Sequence, residues 1–396
     1  MHVARVGVRI VHCPRSSWRR SIPTATDTAN ARTPCLSALA ASVRPFTTSL
    51  TTSAGQQLPT TTATTTTTAT TTVATTTKTT SAAAATTTTT TTSATPQDQS
   101  YDVVVIGGGA VGMATARQLL ISHPRLAIGL LEKECDVAFH QSGNNSGVIH
   151  AGIYYTPGTL KAQLCVRGHQ LMLEYCAEKR VPHRVCGKLI VATSPRQVPV
   201  LESIFAKGKA NGVKDLQLVD LKGIQKIEPK AQGVKAIWSP HTGIVSYREV
   251  TRSYAKDFAE LGGQIHFGFK VDTVQNDGFD DLLVVKSDTN EQVRCRRLIS
   301  CGGLYSDRLS EMTGGSSLPK IVPFRGEYLL LKKTRSDLVS TNIYPVPDPS
   351  LPFLGVHFTP RMDGRVMLGP NAVLAFSREG YRCTDINVME LVESLN

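Results

Sequence analysis

The chain has 396 residues, with 43 Lys and Arg against 31 Asp and Glu, a formal net charge of +12, 41% apolar residues and nine cysteines. The cysteines, at positions 13, 35, 135, 165, 176, 186, 295, 301 and 383, make no CxxC pair and no zinc spacing, which argues against a disulfide framework or a metal site and suits a reducing compartment. No apolar run reaches the roughly 18 residues that a membrane span needs. More than half of the net charge comes from the first 97 residues, which hold seven Arg, one Lys and a single acid, Asp27, so the remainder, near +5, does not suggest a nucleic-acid surface.

Residues 1–46 are Arg-rich, Ser-containing and acid-poor, and no uninterrupted apolar stretch follows the basic residues. That is the composition of a mitochondrial presequence rather than of a secretory signal, with a basic nucleic-acid arm as the alternative. Residues 47–97 dissolve into Thr, Ala and Ser. Such a tract cannot bury enough apolar surface to offset its ordering entropy and reads as a disordered linker, so residues 1–97 are expected to lie outside the fold.

Residues 101–132, YDVVVIGGGAVGMATARQLLISHPRLAIGLLE, order a strand, three spaced glycines, a helix, a second strand and an acid. A dinucleotide-binding βαβ unit needs that order. Gly107 permits the tight turn, Gly109 lets the backbone approach a pyrophosphate, Gly112 lets the helix lie on the strands, and Glu132 can accept hydrogen bonds from an adenosine ribose. A second stretch begins at Ser246. The apolar stripe Val250, Tyr254, Phe258 and Leu261 predicts a helix that Gly262 and Gly263 stop, and Ile265 to Val271 reads as a strand. A further strand, Arg297 to Cys301, runs into CGGLYSDRLSEM, where a small-residue turn before a helix offers backbone N–H groups to a phosphate or ribityl chain. There is no second GxGxxG for a nicotinamide, which favours a flavoprotein whose electrons go to an acceptor other than NAD.

Beyond Glu132 the runs HQSGNNSGVIHAGIYYTPGTLKAQLCVRG (140–168), CGKLIVATS (186–194), SPHTGIVSYREVT (239–251), VPFRGEYLLL (322–331) and IYPVPDPSLPFLGVHFTPRMDGRVMLGPNAVLAFSREGY (343–381) follow. Together with the βαβ unit they resemble the L-2-hydroxyglutarate dehydrogenase family, mitochondrial FAD enzymes of the glycine oxidase and D-amino-acid oxidase superfamily. The resemblance covers roughly residues 101–382. It implies an α/β architecture, a Rossmann-like FAD-binding domain (98–185 and 246–320) interleaved with a mostly antiparallel α+β substrate domain (186–245 and 321–396). It also implies oxidation of L-2-hydroxyglutarate to 2-oxoglutarate, with electrons passed to the quinone pool or a carrier flavoprotein through a possible peripheral inner-membrane contact. Oligomeric state stays open. The expected cofactor contacts are Gly107, Gly109, Gly112, Glu132, Ser142, Ser146, Gly147, Val271, Gly302, Gly303 and Asp307.

Oxidising a 2-hydroxy acid sends a hydride from Cα to the flavin and the hydroxyl proton to a base, which in most such sites is a neutral His. His150 and His357 are the candidates inside the family-like motifs. A dicarboxylate substrate favours Arg forks with Tyr or Lys donors, and Arg325, Tyr154, Lys161 and Arg248 are the expected substrate contacts in that order. Two departures from the family pattern stand out. Asn144 replaces a His in SGxNSG, so a titrating role there is in doubt. The family also continues past GPNAVLAFSREGY, whereas this sequence stops at Asn396, so either it is a truncated product or it lacks part of its flavin site, with an open sheet edge expected where the missing element would pair. A sibling FAD enzyme of another small acid, amine or glycerol 3-phosphate, and a non-catalytic chain, are the competing readings.

Overall fold

In the computed structural model the described residues are 9–12, 99–278, 281–316, 318–348 and 355–395. The presequence and linker expected over 1–97 otherwise lie outside them. Four of those residues depart from the expectation that nothing before 98 joins the fold: Arg9–His12 runs antiparallel to the last half of the strand Gln292–Ser300.

The strand Ser100–Ile106 is the centre of the first sheet. Its VVVI run is buried on both faces, the pattern of a covered parallel strand. Ile128–Glu132 pairs with it in parallel on one side and Gln292–Ser300 on the other, and Gln264–Phe267 extends the parallel set beyond Ile128–Glu132. Leu283–Ser287 and Val271–Asn276 complete the sheet as antiparallel edge strands. Val103 and Val105 pack on one face under Met113, Ala116 and Leu120 of the helix Ala110–Ser122 and Phe258 of the helix Tyr247–Glu260. Val104 and Ile106 pack on the other with Phe269, Val285 and Leu298.

Ser246 caps the helix Tyr247–Glu260 by accepting from the Glu249 N–H, and Gly262, at φ +91°, stops it. The strand expected over 265–271 is shorter. Gly268, at φ +71°, turns the chain after Phe267, the Phe269 N–H donates to the Glu132 carbonyl, and Val271 starts a separate antiparallel strand.

The second sheet has seven strands in the order Leu329–Leu330, Val366–Gly369, His357–Pro360, Asn342–Pro345, Lys188–Ala192, Lys235–Ser239 and Gln217–Asp220. All its pairings are antiparallel except Asn342–Pro345 on Lys188–Ala192. A small sheet of Val148–Ile149, Gly243–Val245 and His183–Val185 lies in the chain between the two large ones. The architecture is α/β with two interleaved sheets, because the strands of the second sheet come from before and after the segment 264–300 that completes the first.

Candidate functional site

The glycine turn has the mechanics its spacing requires. Gly107 adopts φ +105°, a conformation L side chains rarely reach, and its N–H donates to the Leu131 carbonyl at 2.8 Å. A Cβ on Gly112 would run into the Gly107 carbonyl, so glycine there brings the helix onto the turn. Gly109 has an ordinary backbone, and a Cβ on it would meet only the Ser142 hydroxyl, at 3.2 Å. Glu132 is buried, and its carboxylate accepts from the Gly108 N–H at 2.6 Å and the Glu134 N–H at 2.9 Å. Two amides thus fix the acid while its remaining lone pairs stay able to accept ribose hydroxyls. The Ser142 hydroxyl accepts from the Ala110 N–H at 2.9 Å and ties the loop over the helix N-terminus.

A cavity of about 840 Å³ opens from this turn. Of the residues expected at the cofactor, Gly107, Gly109, Glu132, Ser142, Ser146, Val271, Gly302 and Gly303 line it. Its volume, its backbone turn and its fixed carboxylate fit an adenine dinucleotide of FAD's size. Gly147, at φ +73°, lies instead in a smaller neighbouring pocket, of about 160 Å³, with Arg248. Asp307 is elsewhere. Its carboxylate accepts from Arg378 at 2.6 and 2.8 Å in an ion pair whose side chains are 5% and 3% exposed, and also from the Ile321 N–H.

Of the two histidines, His150 lines the cavity and His357 does not. Burial, helped by Lys188 and His357, pushes His150 from 6.5 down to about 3, so it is a neutral imidazole. His357 does not face solvent; it is buried, stacks on the Tyr344 ring at 3.9 Å, and Nδ1–H donates to the Gly355 carbonyl at 2.9 Å. Burial lowers its pKa as well, with Lys188 adding to the effect against the Gly355 bond.

The expected substrate contacts fall outside the cavity. The Arg325 fork donates to Glu327 at 2.9 Å and to the carbonyls of Gly380 and Arg382 at 3.1 Å, which fastens the loop at 380–382 to the strand Phe324–Arg325. Lys161 is exposed in the first turn of the helix Leu160–Glu178, over the Tyr155 ring. Tyr154 is half-buried, and its hydroxyl, which is buried, has no partner among the described residues. Asn144 donates to the carbonyls of Phe139 and His140, so its amide shapes the loop backbone.

Sequence reasoning missed two groups. One is a cluster at the cavity wall where Glu134, His140 and Glu379 place potential ligand atoms within 4.8 Å of one another. Lys133 Nζ bonds all three, so the cluster already contains a cation of its own. Lys133 and Glu379 also line the cavity, which brings the FSREGY motif to it. The other is Lys188, fully buried at the head of the strand Lys188–Ala192, with Nζ 3.3 Å from His150 Nδ1. Its signal was present in the sequence: a lysine opening KLIVA, a run too apolar to have a wet face, has to be buried with the run.

Comparison with known proteins agrees with this geometry. A family described as FAD dependent oxidoreductase matches residues 102–396. L-2-hydroxyglutarate dehydrogenase, mitochondrial, of Nematostella vectensis is 52% identical over 308 residues, covering 75% of this chain and 68% of that protein. The Homo sapiens protein of the same name is 52% identical over 303 residues, 74% of this chain and 65% of that one. The chain therefore spans about two thirds of the length of these curated relatives. Among solved structures, FAD-bound L-alpha-glycerophosphate oxidase from Mycoplasma pneumoniae superposes with a TM-score of 0.65 at 24% identity, over 75% of this chain and 78% of that one. Glycine oxidase from Geobacillus kaustophilus does so at 0.60 and 18%, over 70% and 72%. Those two likenesses concern the fold. With the glycine turn, the fixed acid and the cavity they enclose, the family match over 102–396 means that the chain belongs to the FAD-dependent oxidoreductases, among the L-2-hydroxyglutarate dehydrogenases.

Proposed function

We propose that the protein oxidises L-2-hydroxyglutarate to 2-oxoglutarate with FAD as the hydride acceptor. One observation carries the reading: the cavity lined by the glycine turn and Glu132 is also lined by a half-buried, neutral histidine, His150. The glycine turn would hold the pyrophosphate, Glu132 the ribose, and the Gly302–Gly303 turn the ribityl side. Bound there, FAD supplies the acceptor for the hydride that leaves the substrate's Cα. His150 takes the hydroxyl proton. Lys133, Lys270 and Arg308 are cations that line the cavity, and we take them ahead of Arg325 as the candidates for the substrate carboxylates.

Electrons then leave to the quinone pool or a carrier flavoprotein, in keeping with the single GxGxxG in the sequence. Among the described residues no helix is long and apolar enough to cross a membrane, so a quinone would be met through a peripheral surface contact. A mitochondrial site is supported by the relatives' names and by the composition of residues 1–46, and a reporter fused to those residues should accumulate in the matrix.

Anaerobic mixing of the purified, flavin-loaded protein with candidate substrates tests the assignment. L-2-hydroxyglutarate should bleach the flavin, and the D-enantiomer, glycine and glycerol 3-phosphate should not. Bleaching by one of the latter instead would reassign the chain to a sibling activity. A colourless protein that takes up no FAD would make it non-catalytic.

A further inference from the structure

His150 joins two parts of the molecule. It follows the strand Val148–Ile149 of the small sheet and lines the cavity, while Nδ1 is 3.3 Å from the Nζ of Lys188 in the second large sheet. Lys188 is 1% exposed and does not line the cavity. No carboxylate among the described residues pairs with it. Its surroundings are the Tyr344 ring, 4.0 Å from Nζ to the centroid, the Tyr154 ring at 5.6 Å, His357 stacked on Tyr344, and the thiols of Cys165 and Cys186. A charged ammonium in that place would lack a counter-ion, and a neutral amine has a lone pair to offer.

We propose that Lys188 is a positioning residue acting through His150: its neutral amine accepts a hydrogen bond from His150 Nδ1–H, which leaves the Nε2 lone pair facing the cavity. When Nε2 takes the substrate's hydroxyl proton, the Nδ1 proton passes to Lys188. The O–H and Nδ1–H bonds break, the Nε2–H and Nζ–H bonds form, and the electron pair of the Cα–H bond leaves with the hydride to FAD. The imidazole ends neutral in its other tautomer, and the charge rests on an ammonium against the faces of Tyr344 and Tyr154. This relay rests on the 2-hydroxy acid reading above.

The protonation of both groups agrees with the geometry. Burial lowers Lys188 from 10.5 to about 7, against an opposing pull from Cys165 and Cys186, and His150 stays neutral well below that. An arginine at this position could only donate to Nδ1, which would fix the Nε2–H tautomer and remove the base.

The tautomer is measurable without substrate, by nitrogen NMR of flavin-loaded protein carrying ring-labelled histidine. At a pH well above 7, His150 should be Nδ1–H with a bare Nε2, and should switch to Nε2–H as Lys188 gains its proton. An Nε2–H ring throughout overturns the proposal. In turnover, kcat/KM of the native protein should fall on the acid side through about pH 7. Lys188→Met should lose that limb and lower kcat about a hundredfold, within the range of a general base, with a smaller change in KM. Lys188→Arg should do no better; recovery of wild-type kcat by Arg would mean that Lys188 supplies only charge or packing, and the relay would be abandoned. If L-2-hydroxyglutarate fails to reduce the native protein while another donor succeeds, the substrate assignment falls, and the tautomer measurement still decides the role of Lys188.

Discussion

Gly109 has no backbone reason to be glycine, since its φ is ordinary and a Cβ would touch only the Ser142 hydroxyl. Its reason is the cavity it lines. Gly109→Val should therefore leave the fold intact and abolish flavin retention, read as loss of visible absorbance in folded protein; full occupancy would reduce the glycine to a turn residue. Lys188 makes a second prediction, about stability. Its folded pKa, about 7, lies below the ordinary 10.5, so between these values the unfolded chain binds more protons and stability rises with pH. Below that window the fold carries the full cost of the buried amine. Lys188→Met should raise stability there by a few kcal/mol, less about 1 kcal/mol for the His150 partner lost, and the gain should vanish above the window. Denaturant midpoints on either side of pH 7 to 10.5 measure it. At this scale the geometry of the glycine turn and the place of Glu132 beside it were legible because they are set by the few residues around one turn. The protein partners of Arg325 and Asp307 were not, because they come from residues far along the chain, such as Arg378 for Asp307.

The same distant pairings hold the elements in place. Arg378 reaches both Asp307, in the first turn of the helix Ser306–Met312, and the Leu304 carbonyl in the turn that lines the cavity. Asp307→Ala would leave that buried guanidinium with Glu393, 3.7 Å away, as its remaining ion-pair partner and should cost up to about 3 kcal/mol. Flavin stoichiometry in the surviving folded fraction should be unchanged, which separates this role from direct cofactor contact. Arg325→Ala should loosen the loop at 380–382 and lower the melting temperature, and it should leave KM for the acid nearly unaltered; a tenfold rise in KM would put Arg325 back at the substrate. The element types themselves were readable from periodicity, and their ends less so. EYLLLKK reads like a longer strand, yet only Leu329–Leu330 is one, both residues exposed at the edge of the sheet beside Val366–Gly369. The helix at Tyr247 was clearer because Ser246 caps it and Gly262 closes it.

At the scale of the whole molecule the interleaving was legible from the order of motifs, since two nucleotide-type βα units flank a stretch of different character. The sheet orders were not, since pairing partners carry no mark in a single sequence. Interleaving also has a consequence for how the chain is made. The central strand Ser100–Ile106 has Gln292–Ser300 as one neighbour, with Val103 opposite Arg297, and the strands Lys188–Ala192 and Lys235–Ser239 of the second sheet are synthesised in between. A chain emerging from its N-terminus must therefore hold a half-covered VVVI strand open until most of the molecule exists. Topologies dominated by such distant pairings fold slowly and expose aggregation-prone edges while they do. Pulse-labelled hydrogen exchange during refolding should find the amides of Val103 to Ile106 protected late, together with those of Arg297 to Ser300. A fragment ending near residue 245 should remain bound to chaperones. On this view the glycine turn is translated long before the strand beside it and is among the last parts of the protein to take its shape.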